Sequence, residues 1–378
     1  MDTALQHLTD QINTAAAQRT PLRIRGGGSK DFYGETLQGV LLDTTAYRGI
    51  VSYEPSELVV TVRAGTPLAE LEGALAEKGQ CLAFEPPRFG RANGTCGGMV
   101  AAGLSGPARA SMGGVRDYVL GVQFVNGRGE HLTFGGQVMK NVAGYDVSRL
   151  MVGAMGTLGL LTEISLKVLP VAPAEATLVF ELDQVNALAQ LHRWGAQPLP
   201  LNASCWVRDD TAPNTPELLF VRLRGAVAAV ESACTRMLAD VPGNRMDNAQ
   251  AGPDWTACRD LKLPFFTAPV APAEPLALWR LSVPQTAPVL DLPWPQLVEW
   301  HGGQRWLWAP ASAREQLRQA VAAAGGSASV FIAASDTTTG AKNCFSPLSP
   351  AIAQIHRRLK AEFDPAGIFN PGRVYAGM

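Results

Sequence analysis

Leu22-Arg23-Ile24-Arg25-Gly26-Gly27-Gly28-Ser29-Lys30 is the stretch on which the reading of this chain turns. Its first four residues alternate like a short strand, and three consecutive glycines follow at once. Glycine takes φ > 0 without steric cost, so such a run can turn successive N–H groups toward one point. That concavity suits a pyrophosphate. The Ser29 hydroxyl adds a donor, with Arg25 and Lys30 on either side. A bare triple glycine also serves as a plain flexible turn, so the loop needs support from the rest of the chain.

Two further glycine-dense stretches supply it. Gly94-Thr95-Cys96-Gly97-Gly98-Met99-Val100-Ala101-Ala102-Gly103-Leu104-Ser105-Gly106 runs on to Met112-Gly113-Gly114-Val115-Arg116-Asp117. Small residues throughout let backbone approach a flat ligand, or let a helix pack tightly on a sheet. Lys140-Asn141-Val142-Ala143-Gly144-Tyr145-Asp146 precedes Gly153-Ala154-Met155-Gly156-Thr157-Leu158-Gly159, a turn entering an apolar strand. The common nucleotide and hydrolase signatures are missing. No GxGxxG follows a strand, no glycine is followed by lysine, and neither GxSxG nor HExxH occurs.

Between these loops the pattern is α+β. Leu5, Leu8 and Ile12 predict a helix ending before Pro21. Leu58 to Val62 predicts a buried strand, and Pro67 to Gly79 a helix with Leu68, Leu71 and Leu75 on one face. Tyr118 to Val125 and Glu130 to Phe134 predict a hairpin around Asn126-Gly127-Arg128-Gly129. Composition shifts at Val171-Ala172-Pro173-Ala174. Beyond it, strand and helix patterns recur twice, which predicts an antiparallel sheet with helices on one face. Ile352, Ile355, Leu359 and Phe363 form one apolar helix face before Asp364-Pro365, and Asn370-Pro371-Gly372-Arg373 is a turn.

In order and spacing, these features resemble the vanillyl-alcohol oxidase family, whose FAD-binding domain is called PCMH-type. The match runs from about Pro21 to Pro170. It takes in the loop Arg25 to Ser29, Val62-Arg63-Ala64-Gly65-Thr66, the Gly97-Gly98 pair, Arg116-Asp117, and the block from Gly144-Tyr145-Asp146 to Thr162-Glu163. Phe363-Asp364-Pro365 and Phe369-Asn370-Pro371-Gly372-Arg373 resemble the family's C-terminus. The resemblance implies a PCMH-type domain over residues 1–170, an antiparallel-sheet cap over 171–345 and a C-terminal helix and tail over 346–378. It implies Arg25, Gly26, Gly27, Gly28, Ser29 and Lys30 at the pyrophosphate, and Gly97, Gly98 and Ala101 along the flavin and ribityl chain. Gly156, Thr157 and Leu161 fall on the adenine and ring side; Pro86, Gly106 and Asp117 complete the set. Some family members attach FAD to a histidine beside the first loop. Ser29 and Lys30 stand there in this chain, so non-covalent FAD is expected.

Within the family the chain resembles the flavin-binding subunits of glycolate-oxidising complexes. This implies a catalytic FAD subunit and an iron–sulfur subunit as partners, and a role in electron relay or structure. The catalytic branch carries HxGDGNxH and EHG motifs, whose histidines and carboxylates bind a metal and take the substrate hydroxyl proton. The five histidines here are His7, His131, His192, His301 and His356, and no two reproduce that spacing. Glu299-Trp300-His301-Gly302 approaches EHG, but between two apolar runs it is preferred as a hairpin turn. Catalytic residues are therefore unassigned and no metal is expected. Two other readings stay open: a self-sufficient FAD oxidoreductase acting on another 2-hydroxy acid or alcohol, and a non-catalytic scaffold with a vestigial flavin site.

With 47% hydrophobic and 17% charged residues, the 378-residue chain is globular. Its net charge of −1 and lack of a basic stripe speak against nucleic acid as the partner. Six scattered cysteines without a CxxC exclude an iron–sulfur run, and are expected as free thiols of a cytoplasmic protein. No stretch reaches membrane-spanning length, so contact with a membrane's inner face would come through partners.

Overall fold

The computed structural model describes residues 2–90, 94–136, 145–209, 214–269, 274–334 and 343–378. The expected loop residues Lys140 to Gly144 lie outside them. Two compact units emerge. The first comprises Met1–Leu104, Gly114–Val171 and Gly340–Met378; the second comprises Ser105–Gly113 and Ala172–Thr339. Two segments thus depart from a simple division near residue 170. The C-terminal helix and tail fold into the first unit instead of standing apart, and a nine-residue excursion, Ser105–Gly113, belongs to the second.

The first unit is built on a five-stranded sheet. Its order is Ile50–Glu54, Val59–Arg63, Leu160–Lys167, Val119–Val125, His131–Gly135, each neighbour antiparallel. Val59, Val60, Thr61 and Val62 are all buried, as expected of an interior strand. The Asn126–Gly129 turn forms: Asn126 Oδ1 accepts from the N–H groups of Arg128 and Glu130, and Gly129 sits at φ 74°. The first helix, Thr3–Gln18, starts at Asp2, whose carboxylate accepts the Ala4 N–H. It buries Leu5, Leu8, Ile12 and Ala15 against Leu22, Leu42, Tyr47, Ile368 and Phe369. Beneath it, Leu22–Arg25 pairs in parallel with Val40–Asp43, and Leu22 also bridges to Phe369. The glycine loop therefore leaves a strand held on both edges.

The last helix, Pro350–Phe363, differs from expectation. Ile352 and Ile355 are 44% and 52% exposed, and the residue it buries is Lys360. The reason is electrostatic. The Lys360 ammonium reaches the Asp364 carboxylate and the carbonyls of Thr157 and Phe369, each at 2.7 Å, and this turns its own face inward.

The second unit is an eight-stranded sheet whose neighbours all run antiparallel. The helices Gln184–Gly195 and Val227–Asp240 cover one face, where Leu178, Phe180, Val221 and Leu223 meet Leu191, Trp194, Val230 and Met237. Side chains alternate along strands, so Thr177 and Arg222 point the other way. There they meet Trp255 of Asn248–Arg259, a helix that carries Pro253 within it.

Candidate functional site

The loop Gly26–Lys30 is fixed by its neighbours. Ile24 N–H donates to Asn370 Oδ1 at 2.7 Å, and Asn370 Nδ2 donates to the Met155 carbonyl at 2.7 Å. One asparagine therefore ties the strand before the first loop to the turn containing Gly156. A Cβ at Gly26 would overlap the Thr95 hydroxyl. Gly28 sits at φ 70°, where a Cβ would overlap the Arg25 guanidinium. Arg25 is folded back over the loop by its 2.7 Å ion pair with Asp31. The N–H groups of Gly27, Gly28 and Ser29 donate to no acceptor among the described residues.

Facing the loop is a seven-residue helix, Cys96–Ala102, where the sequence suggested either an open glycine stretch or a small-residue helix. Thr95 caps it by accepting the Gly98 N–H at 3.2 Å. Gly97 N–H donates to the Ala64 carbonyl at 2.8 Å, and a Cβ there would lie 2.7 Å from the Ala64 side chain. This approach seats the helix on the end of the strand Val59–Arg63. Cys96 is buried, and desolvation pushes its thiol up to about 12, which makes it inert near neutral pH.

Two small cavities, about 90 and 70 Å³, line this region. Arg25 through Lys30, with Gly98 and Ala101, border the first; Gly26, Gly97, Gly98, Ala101, Gly156 and Leu161 border the second. Ile24, Gly26, Gly98, Ala101, Met155 and Asn370 border both, so the two adjoin. Such a pair fits an elongated ligand lying against backbone better than a compact one. The structure brings neither Pro86, Gly106, Asp117 nor Thr157 into these cavities. The Asp117 carboxylate accepts the Gly114 N–H at 2.8 Å, the Thr157 hydroxyl donates to the Ala154 carbonyl, and Gly106 belongs to the second unit.

Sequence reasoning missed Thr95, Asn370 and Arg373 as parts of this region. The Arg373 guanidinium donates to the carbonyls of Lys30 and Asp31, at 3.2 Å each, and to those of Tyr33 and Glu35. It thereby shapes the backbone leaving the glycine loop. The Asn370-Pro371-Gly372-Arg373 turn was visible in the sequence, but its target some 340 residues earlier was not.

The Glu299–Gly302 segment was the other candidate for chemistry. It is a hairpin turn, joining Leu297–Glu299 to Gln304–Pro310. Its acid and its base part company. The buried Glu299 carboxylate accepts from Trp306 Nε1 at 2.6 Å, Gln304 Nε2 at 3.2 Å and Cys258 Sγ at 3.3 Å. His301 instead lies between two serines, its Nδ1 at 3.0 Å from Ser204 Oγ and its Nε2 at 3.0 Å from Ser111 Oγ. Desolvation lowers its pKa to about 4, so it stays neutral at physiological pH. The Trp300 indole donates to the Gly106 carbonyl, with Arg109 and Arg280 against its ring. No cluster of His, Cys, Asp and Glu suited to a metal occurs among the described residues.

An FAD-binding domain model matches residues 3–135. The glycolate oxidase subunit GlcE of Escherichia coli K12 is 45% identical over 373 residues, 99% of this chain and 98% of that protein. The glycolate oxidase subunit GlcD of Bacillus subtilis is 31% identical over 188 residues, covering 48% of this chain and 40% of that one. Alkyldihydroxyacetonephosphate synthase shares the fold, with TM-score 0.66 and 16% identity across 97% of this chain and 75% of its own. FAD is the cofactor these findings support, and the glycine loop fits it: the amides of Gly27, Gly28 and Ser29 have no acceptor among the described residues, and the loop borders a cavity. Across nearly its whole length, the chain belongs to the family of the glycolate oxidase subunit GlcE.

Proposed function

We propose that this chain is the FAD-binding subunit of a glycolate oxidase complex, working beside a catalytic flavoprotein subunit and an iron–sulfur subunit. The observation that carries the reading is the end-to-end 45% identity to a glycolate oxidase subunit. The separation of Glu299 from His301 within the second unit supports it, because that turn leaves no acid–base pair to take a hydroxyl proton. In this reading Gly27, Gly28 and Ser29 donate their amides to the pyrophosphate, with Lys30 beside them. Gly97, Gly98 and Ala101 admit the flavin and ribityl chain, and Gly156 and Leu161 border the remaining side. Non-covalent attachment follows from Ser29 and Lys30 standing where some relatives place a histidine. When bound, FAD supplies a centre that accepts and passes on electrons; the chain's residues hold and orient it.

Acid precipitation of the purified chain should release its flavin into the supernatant. With glycolate and an artificial electron acceptor, the chain alone should be inactive, and adding the catalytic and iron–sulfur subunits should restore turnover to glyoxylate. Full activity of the isolated chain would overturn the subunit reading, and a colourless chain that takes up no FAD would overturn the cofactor role.

A further inference from the structure

An unexplained feature lies wholly within the second unit, on the sheet face that carries the helix Asn248–Arg259. It is a cavity of about 590 Å³, in the range of small-molecule sites. Trp255, Trp294, Trp308, Phe220, Phe265 and Leu297 form much of its wall. The cavity opens to solvent on one side, where Pro264, Thr267 and Pro295 on its lining are exposed.

Two of its three indole donors are spent on the protein. Trp255 Nε1 donates to Thr177 Oγ1 and Trp308 Nε1 to the Phe265 carbonyl, both at 2.9 Å. Of the two thiols on the lining, Cys258 donates to the Glu299 carboxylate. Charge appears at the border, where Arg208 and Asp254 are exposed. A ligand here meets ring faces and edges at its buried end and water or charge at its outer end. Indole and phenyl walls favour offset stacking or edge-to-face contact with another ring. An ionised group at the buried end would lose its hydration without gaining a partner.

We propose that this cavity is a binding site for a neutral, flat, multi-ring apolar molecule, separate from the flavin site of the first unit. The inference uses residues of the second unit alone and does not depend on the glycolate reading.

N-phenyl-1-naphthylamine, a neutral two-ring fluorophore, is a suitable probe for the full-length, flavin-loaded chain. It should bind with one site per chain and quench tryptophan emission by energy transfer. Phe220→Arg, which places a charge in the wall, should weaken binding by about tenfold or more, with FAD content unchanged. Should Phe220→Arg fail to fold, the milder Val207→Gln decides, with a smaller loss expected. Naphthalene should displace the probe more effectively than dodecanol. Absence of probe binding, equal affinity in a folded variant, or stronger competition by the saturated chain would each overturn the proposal.

Discussion

The loop Gly26–Lys30 and the turn Trp300–Gly303 are both glycine-bearing segments, and they behave oppositely. Both follow a strand, and both contain positive φ angles: 70° at Gly28, and 55°, 54° and 99° at Trp300, His301 and Gly302. In the first, glycine adopts the angle freely and the neighbouring amides find no acceptor among the described residues. In the second, two bulky residues occupy a region that costs L-residues about 1–2 kcal/mol each. The structure compensates by satisfying them: the His301 N–H and ring nitrogens meet serines, and the Trp300 indole meets a carbonyl. Amides without acceptors suit an anion, whereas the Trp300 indole and the His301 ring are already engaged within the fold. The comparison supports the first unit's loop as the proposed anion site and gives His301 a structural setting.

The contrast breaks most visibly at Gly26. A Gly26→Val side chain must displace Thr95, the cap of the helix facing the loop, and both residues border the cavity. FAD affinity should fall by about a hundredfold or more, the scale of several lost amide hydrogen bonds. Flavin absorbance per chain after gel filtration measures this. The tryptophans report the second unit separately, because all eight lie between residues 194 and 308. If the variant keeps full flavin occupancy, the loop is not the phosphate site.

Next in size is the support behind the loop. Lys360→Met leaves the fully buried Asp364 without its cation, and breaking such a pair costs about 3–5 kcal/mol. Backbone N–H groups of Ile368 and Phe369 still serve that carboxylate, so the lower end is expected in denaturant unfolding of the first unit. Asn370→Ala is milder. It orphans the Ile24 N–H and the Met155 carbonyl, at about 1–3 kcal/mol for a buried group left unpaired. Its sharper readout is FAD affinity, expected to drop about tenfold. Asn370→Asp keeps the acceptor for Ile24 and loses the donor to Met155, so it should fall between. An affinity unchanged in both variants would show that the tail carries the fold without shaping the loop.

What was legible in the sequence follows from range. The strand Val59–Arg63, the hairpin at Asn126–Gly129 and the helix carrying Leu68, Leu71 and Leu75 were readable because a few neighbouring residues determine them. The glycine loops were readable as backbone without side chains, and their grouping came through family resemblance. Pro86, Gly106, Asp117 and Thr157 came from the same family resemblance as the residues gathered at the cavities, and tertiary placement separates them. Lys360 reads as one more cation on a polar helix face, yet it is the residue that helix buries. Pro253 concealed the helix Asn248–Arg259, which exists because Trp255 and Cys258 pack on a sheet contributed from distant segments. Arg373 acts across some 340 residues, and no periodicity reports such a contact.

The smallest expected effect concerns pH. His301 carries a folded-state pKa of about 4, lowered from 6.5 by desolvation. Between those values the unfolded chain binds a proton that the folded chain refuses. Stability of the second unit therefore rises with pH across this window and falls as the solution is acidified from about 6.5 toward 4. Below 4 both states are protonated and the contribution is gone. His301→Gln keeps a side chain able to hydrogen-bond but removes the titration, so its unfolding, followed by tryptophan emission, should depend less steeply on pH across the same window. Turnover of the reconstituted complex should be unaffected near neutrality, because a ring held neutral between two serines has no carboxylate partner with which to shuttle a proton. A loss of turnover there, with an intact tryptophan signal, would return His301 to the chemistry and erase the distinction between the loop and the turn.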